Sequence, residues 1–235
     1  MESKIRHHIG DAIKKYDMIR EGDRILVAFS GGKDSFVMLN MLEKLRCKSP
    51  VRFELIALTI DTGFPGDFRK AEKYLENMCL AYHIYKSTIS TTVESKIKSH
   101  KTGDHCFLCA RIRRSILSRL AKEHKCNKIA LGHNLDDAIE TLLLNIFYGH
   151  RNEIMRPNYK AGEITIIRPL IYTPEKLIEN YSKKEKLPVV KVKCPFDPKD
   201  SKRIFFKKII SKLSKHNPLI YSSARSIIEK AYKTG

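Results

Sequence analysis

The chain has no tryptophan and no apolar run approaching the roughly 20 residues of a membrane-spanning helix. Its opening, "MESKIRHHIG", carries an acid and early charges where a secretory signal would carry an apolar stretch. A soluble, cytoplasmic protein with no membrane partner is expected. Six cysteines in 235 residues are too few for a secreted disulfide scaffold, which leaves reduced thiols. Acids are scarce: 26 Asp and Glu stand against 45 Lys and Arg, a formal charge of +19. Such a surplus repels itself unless a polyanion offsets it. Nucleic acid is the usual partner, and an anionic membrane surface is the other candidate. There is no internal repeat, low-complexity tract or long linker. What is present is a 42% apolar fraction rich in Leu, Ile and Val, enough to build the core of one α/β domain, with or without an appendage.

Ile5, Ile9 and Ile13 recur at helical spacing. "ILVAF" then reads as a buried strand, "SGGKDS" as a loop and "FVMLNMLEKLR" as a helix. "FELIALTID" is a second buried strand ending on Asp61. "DFRKAEKYLENMCLAY" is a helix, "HIYKST" a strand, "CARIRRSILSRLAKEH" a helix, "NKIALGH" a strand and "LDDAIETLLLNIFYG" a long helix. This alternation predicts an α/β fold with a doubly wound parallel sheet of right-handed βαβ units. Beyond Gly149, "EITIIRPL" reads as one more strand and "TPEKLIENYSKKE" as a helix with a Thr cap before its Pro. Two amphipathic helices close the chain. Residues 176–215 hold thirteen Lys or Arg against four acids, a net +9. The expected division is a nucleotide domain over residues 1–175 and a basic helical C-terminal region over 176–235. Such a charge run is as readily a solvated helical face as an RNA grip.

The loop Ser30–Ser35 sits where a doubly wound sheet binds nucleotides, at the carboxyl end of a strand. Gly31 and Gly32 let the backbone approach an anion, and the helix starting near Asp34 adds its positive end. Ser30 and Ser35 offer hydroxyls, and Lys33 offers a point charge for phosphate. The pattern is neither GxxxxGK[ST] nor GxGxxG, which argues against a Walker NTPase and a dinucleotide fold. A phosphate grip with an acid inside it suits Mg²⁺-pyrophosphate.

"SGGKDS" resembles the PP-loop of the ATP pyrophosphatases, whose members activate a carbonyl oxygen as an adenylate. The resemblance implies a Rossmann-like sheet of the adenine nucleotide α-hydrolase type, with ATP and Mg²⁺ as cofactors. "LGHNLDDAIETLLLNIFYG", Leu131–Gly149, "CFLCARIRR" and "IIRPL" are similar to the tRNA 2-thiocytidine and 2-thiouridine synthetase group. The likeness runs from about residue 5 to residue 194. No cysteine-rich zinc modules flank the core, which favours the 2-thiocytidine branch. That branch often has a second CxxC near its C-terminus; here Cys194 stands alone, with Asp197 three residues on.

With the segment from 106 onward helical, about 100° per residue places Cys109 about 60° behind Cys106 and Arg113 about 20° behind it. Arg113 then projects on the sulfur face, and its charge with the helix N-terminus favours thiolate. Cys106, Cys109 and Cys194 have three readings: a structural zinc completed by His105, a persulfide and disulfide pair, or a three-thiolate [4Fe–4S] cluster with one iron open to sulfide. The family resemblance supports the cluster. Cys47, Cys79 and Cys126 lie in apolar patterns and are expected to be buried.

Asp61 ends a strand where the resemblance places adenosine. Asp136 and Asp137 open a helix, as N-cap acids or, with Asp34, as Mg²⁺ ligands; by resemblance one of them assists the acceptor chemistry. Gly132 and His133 are candidate phosphate contacts, and Arg168 a nucleotide or RNA contact. The activity implied is tRNA thiolation: adenylation of a pyrimidine C2 carbonyl, then replacement of oxygen by sulfur. The sulfur donor would be free sulfide, a cysteine desulfurase or a sulfur-carrier protein, and a homodimer is one arrangement open to the chain. Two other functions fit the pattern: a lysidine-synthetase-like enzyme with an amine acceptor, and a non-enzymatic, metal-bearing RNA-binding protein.

Overall fold

A computed structural model describes residues 1–78, 80–98, 105–149, 152–195, 202–217 and 219–233. Cys79 and Asp197 lie outside the described residues, as does the side chain of His105. Six strands form one sheet: β1 (Asp23–Ala28), β2 (Phe53–Asp61), β3 (Ala81–Lys86), β4 (Lys128–Ala130), β5 (Asn158–Ala161) and β6 (Ile164–Ile167). Their order is β3-β2-β1-β4-β6-β5, and every pair is parallel except β5 with β6. The doubly wound parallel sheet expected from the alternation is therefore present. After β1 the chain builds outward through β2 and β3, then crosses back to β4. The carboxyl ends of β1 and β4 thus flank the switch point, where such sheets open a crevice.

The strands are almost continuously apolar because helices cover both faces. Ile25 and Val27 of β1 point into one core with α1 (Glu2–Lys15) and α2 (Lys33–Arg46). Leu26 points the other way, to Ile56, Leu58, Ile129 and Ile166, beneath Leu120 and Ala121 of α5 (His105–Glu123). Ile5 and Ile9 of α1 are buried, as the helical spacing predicts, with Ala12 beside them, whereas Ile13 is half-buried against the same core. Two more helices lie between the strands, α3 (Arg69–Asn77) and α4 (Ile89–Lys98). Another four follow β4: α6 (Leu135–Tyr148), α7 (Glu175–Lys184), α8 (Lys202–His216) and α9 (Ile220–Lys233).

The basic C-terminal helices are packed, not merely solvated. Ile210, Ala224 and Ile228 join the same core as β1. The Tyr16 and Tyr172 hydroxyls meet at 2.5 Å, and Tyr172 donates to Glu229 at 3.0 Å, which ties α9 to the end of α1. Among the described residues no helix is long and apolar enough to cross a membrane.

Three details differ from the sequence reading. Cys47 is exposed, because it is the C-cap of α2 and not part of its buried face; Cys126 is buried as expected. Thr173 does not cap α7: its hydroxyl is buried with no hydrogen-bond partner among the described residues, and Pro174 is the N-cap residue. The strand β5 and the helix α4 were not anticipated from the pattern.

Candidate active site

The loop between β1 and α2 is built to meet an anion. Among the described residues no side chain caps α2, which leaves its first N–H groups to meet an anion. Ser35 Oγ donates to the Gly32 carbonyl at 2.8 Å, and Ser30 Oγ lies 3.3 Å from both the Gly32 N–H and Ser35 Oγ. The hydroxyls thus close the loop on itself. Gly31 has φ of +75°, while Gly32 is in ordinary extended backbone. Gly132 carries the end of β4 against the loop; a Cβ there would meet the backbone of Asp34 and Ser35 at 3.4 Å.

A cavity of about 1810 Å³ opens from this loop. Ala28, Leu58 and Ile60 give it an apolar wall at the carboxyl ends of β1 and β2, beside Ser30, Asp34 and Ser35. Asp61 is not on that wall; its Oδ1 accepts from the Gly63 N–H at 2.9 Å and shapes the turn after β2. The far side is basic, with Arg113, Arg114, Arg156, Arg168 and Arg203. The volume exceeds the roughly 300–1,000 Å³ of small-ligand pockets, leaving room for more than one nucleotide.

His133 stands between the two walls. Arg168 Nε donates to its Nδ1 at 3.3 Å, so Nε2 is the ring nitrogen left to carry hydrogen. Burial, then the charges of Arg168, Arg203 and Arg114, hold His133 down at about 4, and it is neutral at pH 7. Arg168 is itself buried and fixed by the Arg156 carbonyl at 2.5 Å and by the Tyr159 ring.

Lys33 is not among the residues lining the cavity, although its partner Asp34 is. It donates to Glu175 at 2.7 Å and Asp34 at 3.1 Å, and Lys207 reaches the same Glu175 oxygen at 2.6 Å. Burial opposes the Lys33 charge, but the two carboxylates outweigh it and raise its pKa. Asp34 also accepts from Asn134 Nδ2 at 3.0 Å. Asn134 caps α6 in a reciprocal capping box with Asp137. Asp136 instead accepts from the Glu175 N–H at 2.6 Å and from Tyr221 at 3.0 Å, and so holds the start of α7. Burial raises the pKa of both acids, and Asp34 adds to the effect at Asp137. The sequence does not single out Glu175, Lys207 or Asn134; Arg114, which it leaves free to meet RNA beside Arg111, lines the cavity. Only Asn134 has a local signal, an Asn three residues before the acid Asp137 at a helix start.

Glu140, one turn further along α6, is buried and sits 3.9 Å from Arg203. Burial and the neighbouring Asp137 push it up to about 7 from 4.5. A carboxyl that binds its proton more tightly when folded loses stability as pH rises from about 4.5 to about 7, with the full penalty above. Glu140→Gln is therefore expected to stabilise the protein by about 1–3 kcal/mol near pH 8 and to be neutral near pH 4. Urea denaturation of both proteins at the two pH values measures this; an equal shift at both would refute it.

The cysteines divide between two places. The helix α5 begins at His105, so Cys106 and Cys109 lie in its first turn, Cys106 exposed and Cys109 half-buried. Arg113 and Arg114 reach the main cavity from the same helix. Cys194 is half-buried in a pocket of about 330 Å³ with Phe64, Ser90 and Glu94. The preceding segment lies on the PP-loop: Val190 donates to the Gly31 carbonyl at 2.8 Å and Lys193 to the Pro65 carbonyl at 2.9 Å. Among the described residues no three His, Cys, Asp or Glu side chains are arranged to hold a metal ion, so the three thiols are not gathered into one ligating set.

A PP-loop domain profile matches residues 1–199. The chain is 40% identical over 235 residues to the tRNA-cytidine(32) 2-sulfurtransferase of Citrifermentans bemidjiense, covering 98% of this chain and 91% of that protein. It is 41% identical to the Geobacter sulfurreducens protein of the same name, covering 94% and 86%. Among solved structures it is similar to the U34-tRNA thiolase NcsA from Methanococcus maripaludis with its [4Fe-4S] cluster. There the TM-score is 0.76 at 25% identity, over 98% of this chain and 78% of that one. The NH3-dependent NAD synthetase from Campylobacter jejuni shares the fold, with a TM-score of 0.53 at 18% identity over 100% of this chain and 96% of that one. The family reading drawn from "SGGKDS" and "LGHNLDD" is thereby borne out: the chain belongs to the PP-loop family and falls among its tRNA-cytidine 2-sulfurtransferases.

Proposed function

We propose that this protein is an ATP-dependent tRNA sulfurtransferase that adenylates the C2 carbonyl of a pyrimidine, most simply a cytidine, and replaces its oxygen with sulfur. The observation that carries the reading is the uncapped PP-loop at the sheet's switch point, opening into a cavity with an apolar wall and an arginine wall. ATP would lie with adenosine against Ala28, Leu58 and Ile60 and its phosphates over Ser30–Ser35. Mg²⁺ keeps several waters and takes one or two carboxylates plus phosphate oxygens; Asp34 with Asp137 supplies such a pair. The C2 oxygen attacks the α-phosphorus, the bond to the β-phosphate oxygen breaks, and pyrophosphate leaves. The loop N–H groups stabilise the departing charge, joined by Lys33 on turning from Glu175. The neutral His133, with hydrogen on Nε2, donates to an oxygen of the adenylate. Sulfide then adds at C2, the C2–O bond breaks and AMP departs, with no net redox change.

The donor types at Cys106, Cys109 and Cys194 fit a three-thiolate [4Fe–4S] cluster. Two of them head a helix, whose positive end favours thiolate. Holding the cluster requires the first turn of α5 and the segment before Cys194 to come together. The cluster would supply an iron site able to present sulfide as a nucleophile. Lys and Arg of residues 176–235 would grip tRNA phosphates, so affinity is expected to fall steeply with salt.

Incubating the anaerobically purified protein with tRNA, ATP and sulfide tests the proposal. The expected products are AMP, pyrophosphate and a 2-thiopyrimidine nucleoside found by mass spectrometry of digested tRNA. ADP as the nucleotide product would overturn the adenylation step. Stoichiometric zinc without iron or acid-labile sulfide would overturn the cluster and leave adenylation standing.

A further inference from the structure

The last turn of α6 and the first turns of α8 place an aromatic cluster at the surface. Phe147 is 64% exposed, Phe205 56% and Tyr148 51%. They are anchored by one buried ring, Phe206. Phe147 stacks on Phe206 with ring centres 5.8 Å apart and planes at 21°, and Tyr148 and Phe205 meet it edge-on at 6.1 and 5.5 Å. The outward rings are thus held in place, with much of their surface in water. An exposed apolar cluster of this kind marks an interaction site more often than a lone exposed ring does.

Its surroundings select the partner. Lys202 Nζ sits 3.9 Å from the centre of the Tyr148 ring. The helix α8, KRIFFKKIISKLSKH, contains no acid. A second copy meeting this face about a two-fold axis would set α8 lysines against α8 lysines, which costs like-charge repulsion. An anionic partner with planar, unpaired π-faces fits instead: single-stranded RNA, whose bases stack on aromatic rings while lysines meet the phosphates. The cluster borders the cavity, because the same two helix ends supply Asn145 and Arg203 to its lining, each two residues before Phe147 and Phe205.

We propose that Phe147, Tyr148 and Phe205 form a stacking platform for unpaired tRNA bases that neighbour the one delivered to the cavity. This rests on the tRNA reading above and adds where the loop lies. One base on Phe147 and another on Phe205 would hold the RNA open at the rim, so that the target nucleotide need not stack within its own loop. Arg203 and Lys202 supply the phosphate contacts between platform and cavity.

The test is the affinity of the full-length protein for a fluorescent anticodon stem-loop RNA, with a duplex of equal length as control. Phe147→Leu and Phe205→Leu keep apolar bulk but remove the π-face. Stacking alone is worth about 5-fold to 150-fold in Kd per base, so each variant is expected to weaken loop binding by at least about 5-fold. The duplex affinity and the slope of log Kd against log salt should stay unchanged. Phe147→Trp is expected to restore binding. An unaltered melting temperature confirms that exposed rings, not core, were replaced. Wild-type binding with unchanged Kd in both Leu variants overturns the platform alone. Loss of a sedimenting dimer in those variants overturns it in favour of self-association. No loop binding by the wild type overturns the tRNA reading beneath it.

Discussion

Gly31→Ala is expected to abolish ATP cleavage and tRNA thiolation together, each by at least about 100-fold. At φ of +75° an L-residue costs about 1–2 kcal/mol. Strain alone would not reach that effect. The new Cβ would lie 2.8 Å from Val190 Cγ2 and 2.9 Å from Val190 Cβ, closer than real Cβ contacts come. Either the loop retreats, and its N–H groups leave the phosphates, or the segment bearing Val190 lifts. Lifting breaks the 2.8 Å bond from Val190 N–H to the Gly31 carbonyl and displaces the strand of chain that ends at Cys194. Both outcomes remove activity, and a misplacement near 1 Å suffices. Gly162→Ala is the control. It has a similar φ of +66° with nothing within 4 Å of the added carbon. It should lose only the strain energy and keep turnover within about 3-fold, since its site is remote from the chemistry. Pyrophosphate release and 2-thiopyrimidine formation, measured on the same preparations, decide the matter; an active Gly31→Ala would remove the coupling between loop and segment.

That coupling also explains which features the sequence made legible. The unit β1, PP-loop and α2 was readable because its signals are local: a continuous apolar run, two glycines, then helical periodicity. The same holds for β4, while the cap of α6 is Asn134 and not the Asp136 or Asp137 that the sequence offered. The strand β5 was not readable, because Asn-Tyr-Lys-Ala is four residues with none of them buried, held by antiparallel pairing with β6 across Gly162. Nor was α4, whose Thr91, Thr92 and Val93 are β-branched; buried Ile89 and Val93 override that preference. Thr173 looked like a cap because Thr before Pro and Glu is the local signature. The group that accepts the first N–H of α7 is Asp136, 39 residues earlier in the chain. Lys33 pairs with its neighbour Asp34 but also with Glu175, 142 residues away. The path of Cys194 to the PP-loop depends on two backbone hydrogen bonds, which leave no side-chain trace in a sequence.

The same distinction between local cap and remote partner separates Asp136 from Asp137, which the motif presents as equals. Both oxygens of Asp136 are engaged: Oδ2 by the Glu175 N–H and Oδ1 by Tyr221. Asp137 uses Oδ2 for the Asn134 N–H, and its Oδ1 has no donor among the described residues. Its carboxyl is near enough to Asp34 for that charge to raise its pKa. A cation between the two would relieve the repulsion, and of the two acids it is Asp137 that we propose for the Mg²⁺ site. Asp136→Ala leaves a buried N–H and a tyrosine hydroxyl without their partner, and is expected to cost about 2–4 kcal/mol of stability in urea denaturation. Asp136→Asn keeps an oxygen for the N–H and an amide to donate to Tyr221, so stability and turnover should remain within about 1 kcal/mol and about 3-fold of wild type. Asp137→Asn also keeps its cap, because the amide oxygen still accepts from Asn134. It removes the charge, and pyrophosphate release in a single turnover is expected to fall by about 100-fold or more. Equal losses in the two Asn variants would return the chemistry to Asp136, whose oxygens each keep a lone pair beyond the donors from Glu175 and Tyr221.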